Sequence, residues 1–325
     1  MKQVTVGIDI GGTNTVVGIV NKDGDVLVRD SIATPQHGKV DVYVKDIKST
    51  VNRLISQLQP KREVLGIGIG APNGNYYRGT IEDAPNLSFE GVVPLVDLLK
   101  AEFPEMKAIA LTNDANAATL GEMIYGGAQQ MKNFAMYTLG TGVGSGIVAN
   151  GDLIYGKDGF AGECGHNMLI PGGRTCGCGI DGHLEAYCSA PGMKRTAFEL
   201  LVKHNDIHSP LAQKSFQDLT SKDIYEAAIA GDAIAKEVFE VTGKYLGMGM
   251  ASTVHTTSPE AIFLFGGPTA AGDLIIEPTQ KSLDSYLLPT FKGTVPIKIS
   301  ELNLGDAAIV GASSLVMKEI EKMEN

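Results

Sequence analysis

The sequence predicts an α/β protein made of two related halves. Three observations carry that reading. The chain has 325 residues, which suits two domains better than one. Short apolar strand-like runs alternate with longer helical stretches along its whole length. A segment near the start also recurs in the middle. Aligning Gly18-Ile19-Val20 with Gly146-Ile147-Val148 pairs Gly12-Thr13 with Gly140-Thr141. Each copy reads as strand, Gly/Thr loop, strand, turn, strand, and two such copies suggest halves that face each other.

The elements follow in order. Residues 4–10 (VTVGIDI), 16–20 (VVGIV) and 26–28 (VLV) are apolar runs, with Asp23-Gly24 as the turn before the third. A helix is predicted from Val40 to Leu58. A buried strand at 64–70 (VLGIGIG) leads into a long loop carrying Ala84-Pro85-Asn86-Leu87. A helix over 94–102, a strand at 108–112 and a helix running to Tyr125 come next. The second copy has strands at 134–139, 146–149 and 153–155, with Asn150-Gly151 as its hairpin turn. Residues 156–192 read as irregular and rich in Gly and Cys. Helices are predicted at 193–204, 221–229, 232–254 and 274–287, strands at 261–265 and 295–299, and a last helix over Ala307–Lys322.

Composition excludes several classes. Apolar residues make up 43% and charged residues 20%, which is ordinary for a folded globular chain. The net charge of −10 argues against a nucleic-acid partner, which calls for a basic face. No apolar run reaches the roughly 20 residues of a membrane span. The opening MKQVTVGIDIGGTN carries no signal-peptide pattern, so a cytoplasmic protein is expected.

The glycine loops point to phosphate. Gly140-Thr141-Gly142-Val143-Gly144 resembles a dinucleotide fingerprint in letters only. That motif opens a helix, whereas here Ser145-Gly146-Ile147-Val148-Ala149 and a hairpin turn follow. The loop therefore joins two strands, and its glycines expose N–H groups that, with the Thr141 hydroxyl, suit phosphate oxygens. The same holds for Gly11-Gly12-Thr13-Asn14. Asp9, just before it, suits Mg²⁺ held through water. Read blandly, both loops are tight turns and Asp9 is a core carboxylate; their occurrence as a pair favours the phosphate reading.

Leu111-Thr112-Asn113-Asp114-Ala115-Asn116 reads as strand, polar pair, helix start. Either polar residue serves as a helix cap. The functional reading puts Asp114 at the end of a buried strand, facing a cleft and kept ionised by the helix dipole. There it would accept a hydroxyl proton during phosphoryl transfer while Asn113 orients a neighbouring hydroxyl.

All four cysteines, Cys164, Cys176, Cys178 and Cys188, fall in one short stretch. His166, Cys176, Cys178 and His183 supply two nitrogens and two sulfurs, a closed tetrahedral set for structural Zn²⁺. Cys164 and Cys188 compete for the fourth place. Glu163 and Glu185 flank the cluster, where bound metal would brace them against a polyol or sugar, since a carboxylate accepts two hydroxyls at once. The other histidines, His37, His204, His208 and His255, stand singly.

Five segments together resemble the ROK family of repressors and sugar kinases, its bacterial glucokinase branch in particular, over essentially the whole chain. These are DIGGTNTVVGIV, LTNDANAATLGE, LGTGVGSGIV, GECGHNMLIPGGRTCGCGIDGHLEAYCSAPG and NLGDAAIVGAS. The fourth is the most specific. It departs from the usual pattern at His183, where the family has Cys, and Phe265-Gly266-Gly267-Pro268 is less glycine-rich than usual.

The resemblance implies an actin-like ATPase fold with two ribonuclease-H-like halves around a cleft. The halves would be residues 1–113, joined by the C-terminal helix 306–325, and 114–305 with the zinc motif. It implies an ATP-dependent kinase acting on the 6-hydroxyl of glucose. The alternatives are a kinase for N-acetylmannosamine, N-acetylglucosamine, fructose or allose and, further off, a sugar-responsive regulator. Asp114 would be the base. Asn113 would hold the sugar's 4-hydroxyl, Asn86 its 3-hydroxyl side, and Glu163, His166 and Glu185 its 1- and 2-positions. His166 would also ligate zinc with its other nitrogen. Gly12, Thr13, Thr141 and Gly142 would hold ATP phosphates, with Gly266 and Gly267 beside the nucleoside. A homodimer is the implied assembly.

Overall fold

The first strands form because β-branched residues alternate across a pleat with both faces to bury. In the computed structural model, which describes residues 2–35, 39–206 and 208–324, they are β1 (Gln3–Ile10), β2 (Asn14–Asn21) and β3 (Val26–Ala33). His37 lies outside the described residues. Helix α1 (Val40–Ser56) follows, then β4 (Glu63–Ala71), α2 (Leu95–Glu102), β8 (Ala108–Asn113) and α3 (Asp114–Tyr125). Between β4 and α2 come three very short strands, β5 (Gly74–Asn75), β6 (Thr80–Glu82) and β7 (Val92–Val93), which form a sheet of their own.

The main sheet of this first unit runs β3-β2-β1-β4-β8. β1, β2 and β3 are antiparallel; β4 and β8 run parallel to β1. On one face Val6, Ile8, Ile67 and Ile69 pack with Tyr43, Ile47 and Leu54 of α1 and Leu99 of α2. The other face is closed by α9 (Ala307–Glu324), the end of the chain. Here the glycines of the two central strands matter. A Cβ on Gly7 would lie 2.0 Å from the Ile309 carbonyl oxygen, and one on Gly68 1.7 Å from that of Ala312. The helix therefore rests directly on the strand backbones.

The second unit repeats the plan. β9 (Phe134–Leu139), β10 (Val143–Ala149), β11 (Asp152–Leu153), β12 (Ala261–Phe265) and β13 (Ile297–Ile299) form a sheet in the order β11-β10-β9-β12-β13. β9 and β10 are antiparallel, and β12 and β13 continue parallel. The recurring Gly-Ile-Val segments thus occupy β2 and β10, the second strand of each sheet. Asn150 and Gly151 both have positive φ, 55° and 87°, as the predicted hairpin turn requires. Helices α4 (Glu185–Cys188), α5 (Ala190–Lys203), α6 (Ser221–Ile229), α7 (Ala233–Thr257) and α8 (Asp273–Tyr286) complete this unit.

Three sequence expectations need correction. The first unit does not end at 113; it comprises residues 1–130, 153–161 and 301–325, and the second comprises 131–152 and 162–300. Helix α3 stays with the first unit because it packs backbone to backbone on α9. A Cβ on Gly311 would lie 2.2 Å from the Ala117 carbonyl oxygen. Residues 153–161 join it because Tyr155 stacks on Tyr76, with ring centres 4.0 Å apart, and Asn75 donates to the Asp158 carbonyl at 2.8 Å. The segment 156–192 is not wholly irregular: Ser189 caps α5 through the Gly192 N–H, and Pro191 sits in its first turn. Among the described residues no helix is long and apolar enough to cross a membrane.

Candidate active site

Parallel strands deliver their C-terminal ends to one edge of a sheet, and ligand groups collect there. In the first unit that edge holds Asp9 on β1, Gly70 on β4, Asn113 at the end of β8 and Asp114 at the start of α3. Asp9 pairs with Gly70, and Gly70 with Thr112. Gly70 has no side chain, and the Cβ it lacks would lie 3.6 Å from the Asp114 Cα. Asp9 and Asp114 consequently feel each other. Burial, reinforced by the Asp114 charge, pushes the Asp9 carboxyl from 3.8 up to about 6.

Asn113 is the cap of α3. Its side-chain oxygen accepts the Ala115 N–H at 2.8 Å, and an Asp114 carboxylate oxygen shares that donor at 2.8 Å. Among the described residues the Asn113 amide –NH₂ has no hydrogen-bond partner. Asp114 is open to solvent at the head of the helix, yet the protein packed around it strips hydration from its carboxylate. That desolvation raises its pKa against the lowering effect of the Ala115 N–H. The sequence expectation of a dipole-stabilised anion therefore meets an opposing and larger influence. A carboxylate with a raised pKa is the better proton acceptor.

The loop between β1 and β2 closes through the Gly11 N–H on the Asn14 carbonyl at 3.0 Å. Thr13 and Asn14 are exposed at its tip. Asn86 lies against it: a Cβ on Gly12 would come within 2.7 Å of the Asn86 carbonyl oxygen. The first unit thus gathers Asp9, Gly11, Gly12, Thr13, Asn14 and Asn86 with Asn113 and Asp114. One residue escaped the sequence reading. The side-chain oxygen of Asn116, one of the buried polar atoms two places after Asp114, has no hydrogen-bond partner among the described residues. The asparagine spacing in Asn113-Asp114-Ala115-Asn116 was the available signal.

In the second unit the loop between β9 and β10 is pinned on three sides. The Gly140 N–H meets the Gly142 carbonyl at 3.0 Å, and the Ala190 N–H meets the Gly140 carbonyl at 2.8 Å. Gly266, at φ 115°, sits on the end of β9 so closely that a Cβ would lie 2.0 Å from the Leu139 carbonyl oxygen. Gly267 follows with open space beside it, and Thr141 is exposed. Glu185 supplies the third side, its Oε2 accepting the Val143 N–H at 3.0 Å. Ser145 of β10 braces the Gly162-Glu163-Cys164 segment, donating to the Gly162 carbonyl and accepting the Cys164 N–H at 3.0 Å. Glu163 is exposed, and its carbonyl takes the His166 N–H at 3.0 Å.

The ligand atoms of His166, Cys176, Cys178 and His183 all lie within 4.8 Å of one another. The two histidine Nδ1 atoms are 3.3 Å apart; Cys178 Sγ is 3.2 Å from the His183 Nδ1, and Cys176 Sγ 3.9 Å from the His166 Nδ1. A tetrahedral cation with bonds of about 2.05 Å to nitrogen and about 2.3 Å to sulfur sets nitrogens about 3.3 Å apart and nitrogen and sulfur about 3.6 Å apart. The donor set fits such an ion. Position 183 joins the cluster although it is His, and both rivals drop out. Cys164 receives a hydrogen bond from Thr253 and Cys188 donates to the Thr242 carbonyl, both in the core of the unit. The loop carrying Cys176 and Cys178 is held by Arg174. Its guanidinium reaches Glu199, the Thr196 hydroxyl and the Gly192 carbonyl, and lies over the Tyr187 ring.

Two sheets of one plan, each with a Gly-Thr loop after its first strand, and a His₂Cys₂ centre define a phosphate-handling protein of the actin-like ATPase fold. The sequence matches the ROK family profile over residues 5–319, and the chain belongs to that family. It is 35% identical to a glucokinase of Halalkalibacterium halodurans over 322 residues, covering 98% of this chain and 96% of that one. It is 34% identical to a glucokinase of Thermotoga maritima, covering 98% and 99%. A solved ROK family glucokinase from Streptomyces griseus, in complex with glucose and AMPPNP, superposes with a TM-score of 0.80 at 30% identity, covering 96% of this chain and 98% of that one.

Proposed function

We propose that this protein transfers the terminal phosphoryl group of ATP to the 6-hydroxyl of glucose. The observation that carries the reading is the full-length likeness to glucokinases.

The first unit supplies the reacting carboxylate. Asp114 takes the proton of the sugar 6-hydroxyl as the phosphoryl group moves; its raised pKa suits that task. Asn113, with its carbonyl spent on Ala115, donates through its –NH₂ to the 4-hydroxyl, and Asn86 serves the 3-hydroxyl side. Gly11, Gly12, Thr13 and Asn14 receive phosphate oxygens. Asp9 would hold Mg²⁺, whose charge would keep its carboxylate ionised.

Within the second unit, Glu163, His166 and Glu185 are the groups assigned to sugar hydroxyls at the 1- and 2-positions. Thr141 and Gly142 take phosphate, and Gly266 and Gly267 lie by the nucleoside. Zinc is the ion assigned to His166, Cys176, Cys178 and His183; it supplies a structural cross-link with no open position for substrate. Because both rings present Nδ1 to the centre, Nε2 of His166 is left for a sugar hydroxyl.

A coupled ADP-release assay across glucose, fructose, allose, mannose, N-acetylglucosamine and N-acetylmannosamine tests this. Glucose is expected to give the highest kcat/KM. A larger value for an N-acetylated sugar would reassign the substrate, and no release with any of them would overturn the reading.

A further inference from the structure

Glu185 touches two things at once. Its Oε2 accepts the Val143 N–H at 3.0 Å, at the end of the loop between β9 and β10, and its Oε1 lies 3.2 Å from the Cys176 Sγ. The contact with the loop is tight enough to dictate sequence. A Cβ on Gly142 would fall 2.5 Å from Oε2, so any larger residue there would displace the carboxylate. Among the described residues no lysine or arginine pairs with Glu185. A divalent cation bound by two thiolates and two imidazoles is charge-balanced, so a loaded metal centre leaves the carboxylate uncompensated. An anion is thereby fixed against a loop whose backbone suits phosphate.

We infer that Glu185 makes nucleotide binding depend on the sugar, its charge opposing the polyphosphate until sugar hydroxyls hydrogen-bond to it. The inference rests on the proposed kinase reading. The sign follows from electrostatics. A carboxylate beside the loop repels a polyanion. Hydroxyl donors from the sugar draw on that charge and weaken the repulsion. Linkage then requires that nucleotide and sugar raise one another's affinity by the same factor. A kinase so built holds ATP weakly while no acceptor alcohol is present, which limits transfer to water.

Calorimetric titration of AMPPNP with Mg²⁺ into the full-length, metal-loaded protein, with and without saturating glucose, tests the coupling. In the wild type glucose is expected to tighten AMPPNP binding about fivefold or more. Glu185→Gln keeps an oxygen for the Val143 N–H and removes the charge. It should bind AMPPNP more tightly than wild type in the absence of glucose, with the glucose effect reduced to less than about twofold. Gly142→Ala keeps the charge but pushes it off the loop, and should lose coupling as well; it decides the matter if Glu185→Gln fails to retain its metal by elemental analysis. Unchanged coupling in the deciding variant, or none in the wild type, overturns the inference. A wild type that shows no coupling yet still phosphorylates glucose sinks this inference alone, whereas one that phosphorylates no sugar sinks the kinase reading with it.

Discussion

His166 and His183 turn their Nδ1 atoms toward each other at 3.3 Å, with the Cys178 sulfur 3.2 Å from the second. Two neutral imidazoles gain little from such an approach, since lone pair faces lone pair unless one nitrogen carries the proton. A shared cation resolves it, and the spacing is that of a tetrahedral edge. Replacing Cys176 and Cys178 together by Ser should therefore lower bound zinc, measured by mass spectrometry, from about one per chain to none. Glucose affinity should fall by about tenfold or more while AMPPNP affinity changes less, because His166 and Glu185 lose their brace. Zinc retained in the double variant would disprove the ligand set.

Asp114→Asn separates chemistry from binding. The amide still offers an oxygen to the Ala115 N–H, so the start of α3 should hold. What disappears is the group able to take a proton. Turnover should drop by about 10²–10⁴-fold, the usual contribution of a general base. The glucose dissociation constant, read by titration, should stay close to that of the wild type. A variant with near-normal kcat would remove Asp114 from the proposed role.

Much of the candidate site was legible because its chemistry is local in sequence. Two histidines and two cysteines between 166 and 183, or Asn113 next to Asp114 at a strand end, carry their meaning in the spacing. What stayed hidden depends on distant partners. The membership of α3 in the first unit is decided by Gly311 lying on Ala117, and nothing near residue 113 announces it. The sheet of β5, β6 and β7 is too short for alternation to show. Tyr155, two residues past the end of β11, stacks on Tyr76, a contact no periodicity encodes. The grip of Glu185 on the Val143 N–H likewise joins positions far apart in the chain.

Asp9 gives a prediction about stability whose sign is opposite to that of a salt-bridged carboxylate. Burial and the Asp114 charge raise its pKa from 3.8 to about 6 in the folded protein. The native state thus holds the proton more tightly than the unfolded chain. The stability linked to that proton is fully present below pH 3.8 and is lost as the pH climbs through about 6. At pH 7.5 an ionised Asp9 then costs on the order of 1–3 kcal/mol in the unliganded protein. Asp9→Asn should accordingly unfold at a higher urea concentration than wild type at pH 7.5, and the gap should close as the pH falls toward 4. Kinase activity should move the other way, since an amide is a poor partner for hydrated Mg²⁺. A stability gap independent of pH, or one favouring the wild type at pH 7.5, would show that Asp9 is not held in a place that resists its ionisation.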